Sequence, residues 1–178
     1  MKNLVFGVIV SLVAVAAAAN VESPYVGQET REIKALSQQE IDDYLNGRGL
    51  GYAKAAELNH YPGPRHVLDL ANKLALTQEQ TRQTQAIFET MQAQAVALGK
   101  QLVEKEKELD RQFANGSMDA VSLHALSSDI GVLQAKIRYA HLVAHLEQKA
   151  LLTKHQVQLY DQLRGYGAAH GNGHSHSH

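Results

Sequence analysis

The pentapeptide L-T-x-x-Q occurs twice in this 178-residue chain, as Leu76-Thr77-Gln78-Glu79-Gln80 and as Leu152-Thr153-Lys154-His155-Gln156. Each copy reads as a capping box. The Thr hydroxyl accepts from the backbone N–H three residues on, and the Gln side chain reaches back to the N–H of the Thr. In the second copy Leu152 and Val157 stand where a hydrophobic staple forms; in the first the matching residue is Thr81, which makes a weaker contact. Two such helix starts bracket the centre of the chain and so constrain what it can fold into.

The spacing of apolar residues fills in the bracket. A long helix is predicted from the first motif to Ala114, with Ile87, Met91, Ala95, Leu98, Leu102, Leu109 and Phe113 on its apolar stripe. The run Glu104 to Glu108, E-K-E-K-E, reads as a solvated face of paired charges. Asn115-Gly116 reads as a C-cap and turn, after which Ser117 or Asp119 caps a second long helix. Its Leu123, Leu126, Ile130, Leu133, Ile137, Ala140 and Ala144 recur at alternating spacings of three and four, the pattern of a coiled-coil seam. Two long amphipathic helices joined by a tight turn predict an antiparallel helical hairpin.

Shorter helices flank it. Ser37 to Glu40 is a further capping box, opening a helix through Ile41, Tyr44 and Leu45 that Asn46-Gly47 ends. Tyr52 to Leu58 forms a second short helix, and His60 to Pro64 a turn. A helix of about three turns follows from Arg65, carrying Val67, Leu68, Leu70, Ala71 and Leu74. The last helix follows the second motif with Val157, Leu159, Tyr160 and Leu163, and Gly165 and Gly167 end it. The fold class is all-α: a long antiparallel hairpin with short flanking helices. A thin seam with few aromatic residues leaves apolar surface exposed along such helices, which predicts a dimer with a curved, partly apolar surface.

The two ends differ from the middle. Lys2 precedes an almost wholly apolar run from Leu4 to Ala19, and Ala17 and Ala19 fit a small-residue cleavage site. This reads as a secretory signal peptide cut between Ala19 and Asn20, in preference to a membrane anchor, for which the run is short. Residues 20–36 read as an extended arm, 37–62 as short helices and a turn, and 63–166 as the domain that carries both motifs. Residues 167–178, rich in Gly, Ser and His, read as a disordered tail. The chain holds no Cys, so packing rather than disulfides must hold it together after export. A formal charge of −1 gives no basic surface for a nucleic acid.

An exported, Cys-free helical chain with two L-T-x-x-Q motifs resembles the Spy/CpxP family of periplasmic proteins, whose relatives include zinc-associated and nickel/cobalt-sensing proteins of heavy-metal resistance. The resemblance covers roughly residues 63–166. It implies a cradle-shaped antiparallel dimer in the periplasm. It also implies ATP-independent holding of unfolded or misfolded proteins in the envelope stress response, heavy-metal binding or sensing, or regulation of a membrane sensor kinase. The segments Tyr61-Pro62-Gly63-Pro64-Arg65-His66 and Leu163-Arg164-Gly165-Tyr166 look like the flanks of a distinct subgroup. The helices at 37–58 and the His-rich end depart from the best-known chaperones of the family.

Histidines carry the other chemical signal. His141 and His145, spaced i, i+4, project from one helix face and can together hold Zn, Cu or Ni, with Glu147 or His66 as an added ligand if the fold brings one close. The alternative is two polar positions beside the core. His170, His174, His176 and His178 form a second cluster, which reads as a weak chelating tail, a solubilising end or a purification scar. His60, His124 and His155 stand alone and read as surface or core-edge residues. No cofactor is required by any motif. The segment 141–145 lacks the Glu of H-E-x-x-H, and no G-x-S-x-G, P-loop or dinucleotide fingerprint occurs, so the chain reads as a non-enzyme.

Overall fold

The computed structural model describes residues 22–166; the signal peptide expected at 1–19 and the tail expected at 167–178, with His170, His174, His176 and His178, lie outside the described residues. The chain divides after Thr30 into two units. Of the first, the described part is a set of turns and a 3-10 helix, Gln28–Thr30. The second is all-helical among its described residues: α1 (Gln38–Leu45), α2 (Lys54–Glu57), α3 (Pro64–Asp69), α4 (Gln78–Ala114), α5 (Ala120–Leu151) and α6 (Lys154–Arg164). No helix among the described residues is long and apolar enough to cross a membrane.

α4 and α5 form the long pair that the rest is built on. At 1.5 Å per residue they run about 55 and 48 Å. Lys105 meets Asp129 at 2.7 Å near the turn between them, whereas Thr84 receives a hydrogen bond from Gln148 toward the other end. The seam of α5 is buried at Leu126, Ile130, Leu133, Ile137, Ala140 and Ala144, and that of α4 at Met91, Ala95 and Leu102. Asn115 caps α4, Gly116 takes a positive φ in the turn, and Asp119 accepts from Ser122 N to start α5.

The ends of the two stripes differ from expectation. Phe113 is 58% exposed and Leu123 39%, because the covering residues Ile33 and Leu36 reach only as far as Leu109. The charged run is also not wholly solvated: Glu106 is buried beside the Ile33, Tyr44 and Leu133 cluster, while Glu104 and Lys107 stay exposed. Residues 31–36 are not a free arm. Ile33 and Leu36 are core residues, and Lys34–Asp110 and Lys107–Glu32 ion pairs tie the segment to α4. An irregular segment carries no periodicity, so two isolated apolar anchors leave no readable pattern.

α1 opens at the Ser37–Glu40 capping box and ends at Asn46, with Gly47 at φ +65°. It lies on α4 at Gly99, where a Cβ would come within 2.2 Å of the Tyr44 carbonyl oxygen. Only glycine permits that approach. α2 is shorter than the 52–58 expected, and α3 stops at Asp69 rather than continuing to Leu74. Turns at 70–75 place Leu74 in a cluster with Val67, Leu152 and Tyr160 and turn its carbonyl toward α6.

Both L-T-x-x-Q motifs form complete capping boxes. They also bind one another. Gln80 Nε2 donates to Gln156 Oε1 at 2.9 Å, and Gln156 Nε2 donates to Gln80 Oε1 at 3.1 Å. Each amide spends its second N–H on the chain just ahead of the other motif, Gln80 on Leu151 O at 3.1 Å and Gln156 on Leu74 O at 3.2 Å. Leu152 is buried beneath this clasp, and Leu76 and Val157 pack against the same cluster.

Replacing Gln156 with Ala strands the Leu74 carbonyl, the Thr153 N–H and one side of Gln80. At about 1–3 kcal/mol per stranded buried group, partly relieved by water, the expected cost is about 2–4 kcal/mol of unfolding free energy in urea melts. A cycle with Gln80→Ala should return a coupling of about 1–2 kcal/mol; additive single effects would show that the two amides act independently.

Candidate functional site

α2 is tied to the C-terminal end of the chain by one carboxylate. Glu57, the last residue of α2, is largely buried, and its Oε1 accepts from Tyr160 OH at 2.7 Å, Tyr166 OH at 3.0 Å and Arg164 Nε at 3.3 Å. Three donors on one oxygen, one of them a guanidinium, offset the cost of taking the carboxylate out of water. Tyr160 has no exposed surface; burial first, then its bond to Glu57, raises its phenol well above the ordinary range. Glu57 Oε2 has no protein partner and is closed off from solvent.

His145 approaches the same carboxylate from α5. Its Nδ1 lies 2.7 Å from the Tyr61 carbonyl and 3.8 Å from Glu57 Oε2. The carbonyl is the nearer acceptor, so Nδ1 donates to it, and Nε2 is the other ring nitrogen. That nitrogen faces Gly63, where a Cβ would stand 3.0 Å from it. Lys149 lies over the Tyr61 ring at 3.6 Å and holds this loop against α5. His141, one turn earlier, is only 6% exposed, and its Nε2 is buried without a protein partner. Burial, then the neighbouring His145, holds its ring below the ordinary imidazole range.

His141 and His145 are thus core residues of one wall, together with Gln148 a turn further on. His66 lines the same cavity but leans toward Asp69, 3.6 Å away, and Glu147 is exposed. Among the described residues no group of three or more His, Asp or Glu converges as a metal ion would require. His145 and Glu57 approach one another at 3.8 Å, and His141 lines the same cavity. His124 and His155 are exposed, and His60, also exposed, pairs with Asp161 at 2.8 Å.

The cavity beside this cluster has a volume of about 530 Å³. Phe88, Met91 and Ala144 wall it from the long pair, and Leu50, Lys54 and Arg65 from the short elements. Glu57, Tyr160 and Arg164 were not among the residues that the sequence pointed to as chemical. A lone Glu in a four-residue helix carries no pattern. The two flanking segments at 61–66 and 163–166 were the available signal, since they supply Tyr61, Gly63, His66, Arg164 and Tyr166 to this site.

A second feature lies on the long pair itself. An open groove of about 590 Å³ runs between α4 and α5, lined by Gln94, Ala97, Leu98, Val132, Lys136 and Tyr139. Val132 is 52% exposed and Tyr139 70%.

The His141 ring gives the site a pH signature. The unfolded chain binds a proton there near pH 6.5, whereas the native site resists it, so native stability falls as pH drops through that value. Urea melts of the native chain should therefore lose more stability between pH 8 and pH 5.5 than those of His141→Leu, with little difference in that loss above about pH 7.5. Equal losses in the two proteins would show that the buried ring does not set the acid sensitivity.

Comparison with known proteins found no matching family model, no matching curated protein and no matching solved structure.

Proposed function

We propose that this chain is a periplasmic, ATP-independent holder of unfolded or misfolded proteins, acting as a dimer. The observation that carries the reading is the open apolar groove between α4 and α5. Leu98, Val132 and Tyr139 line it and Gln94 and Lys136 stand at its edge, so apolar segments can be covered while charged neighbours stay wet. At the turn between the long helices, Phe113 and Val121 add further exposed apolar surface. Binding of this kind draws only on apolar contact and needs no nucleotide. The opposite order of contacts along α4 and α5 supports an antiparallel hairpin, and pairing of two such hairpins would give the cradle that the family resemblance implies.

At an equimolar ratio the chain should suppress light scattering by a chemically denatured client. Val132→Glu with Tyr139→Glu, two exposed positions whose change leaves the helical circular dichroism intact, should weaken that suppression several-fold. Absence of suppression by the native chain, or full activity in the double variant, would remove the groove from the proposal. Sedimentation of the same samples at micromolar concentration should give a dimer; a monodisperse monomer would remove the pairing.

A further inference from the structure

The cavity beside Glu57 is chemically unlike the groove. Its walls are apolar, with Leu50, Phe88, Met91 and Ala144 among them. Its charged lining is mostly cationic, with Arg48, Lys54, Arg65 and Arg164 against the single acid Glu57, although Arg48 is held by Asp43 at 2.8 Å. That acid is not presented to the cavity as a free charge, because Oε1 is saturated by Tyr160, Tyr166 and Arg164 and Oε2 is sealed from solvent. The cations are better placed. Lys54 is exposed, and Arg65 holds Asp69 only at 3.4 Å with both side chains more than half exposed, a pairing that water and salt weaken. Arg164 keeps its side chain about one-third exposed while giving its Nε to Glu57. An apolar interior with a cationic mouth is the complement of a small amphiphilic anion.

We infer that this cavity binds a single-chain amphiphile with an anionic head, its alkyl chain against Phe88, Met91 and Ala144 and its head at Lys54 and Arg65. The volume lies within the range of small-molecule pockets and admits a chain of about eight to twelve carbons. An amine of the same length would meet the cations at the mouth, and an alcohol would gain the apolar contact alone. The site is separate from the α4–α5 groove, with which it shares no lining residue. It therefore stands or falls independently of client holding.

Calorimetric titration of the full chain with sodium octanoate, octanol and octylamine tests it. Octanoate should bind at least ten-fold more tightly than octylamine, with octanol between them, and added salt should narrow the gap. Met91→Trp, which fills the cavity, should abolish octanoate binding. Lys54→Glu, a surface change that leaves the fold intact, should weaken octanoate several-fold while leaving octanol unchanged. The Val132→Glu, Tyr139→Glu protein should bind octanoate like the native chain. Octyl phosphate, an anion of the same chain length, should bind at least as tightly as octanoate; its failure to bind would overturn recognition by charge. No octanoate binding, equal binding of octylamine, or an unaltered affinity in Lys54→Glu would overturn the site.

Discussion

The reciprocal bond between the Gln80 and Gln156 amides is the constraint on which the rest of the structure depends. A capping Gln uses its carbonyl oxygen on its own helix start and keeps two N–H donors free. Here those donors cross to the other motif and to the carbonyls of Leu151 and Leu74. The start of α4 and the start of α6 are thereby fixed to each other although they lie 76 residues apart in the chain. Because α5 ends at Leu151, one residue before the second motif, the clasp also sets the register of α5 against α4. Buried amides satisfied on every atom specify one arrangement, since any slip leaves several groups without partners.

That register decides what meets behind the clasp. It brings α6 under the short elements, so that Tyr160, Arg164 and Tyr166 converge on Glu57, and it turns the His141 and His145 face of α5 toward the 61–63 loop. The short elements are poor in intrinsic stability; α2 has four residues and α3 six. The bonds of Glu57 to α6 and Tyr166 hold α2, and the burial of Val67 holds α3, rather than helix propensity. The outcome is a half-covered pair: short elements close one side and leave a basic-mouthed cavity, while the groove at Leu98, Val132 and Tyr139 stays open.

Legibility follows the range of the physics involved. Capping boxes, the Asn115-Gly116 turn and the α5 seam are encoded within a few residues, and each is present where the pattern placed it. Glu106 illustrates the opposite case. A charged run on a helix reads as solvated, yet Glu106 is buried near Tyr44, whose approach to α4 depends on Gly99 admitting α1. Burial raises that carboxyl above its usual range. Likewise Val67 to Leu74 has helical spacing, but α3 stops at Asp69 and turns carry Leu74 into the cluster around Tyr160, where its carbonyl accepts from Gln156.

The sequence by itself determined the all-helical class, the start of each long helix, the turn between them and the i, i+4 relation of His141 and His145. These depend on contacts within one or two helical turns, which composition and spacing encode directly. Only the tertiary structure decided that the two L-T-x-x-Q motifs clasp one another, that His145 meets the Tyr61 carbonyl beside Glu57, and that residues 31–36 belong to the core. Each of those joins segments roughly 70 to 110 residues apart, where no local pattern says which donor will meet which acceptor. The paired motif therefore does more than begin two helices: its glutamines hold together the segments that form the cavity.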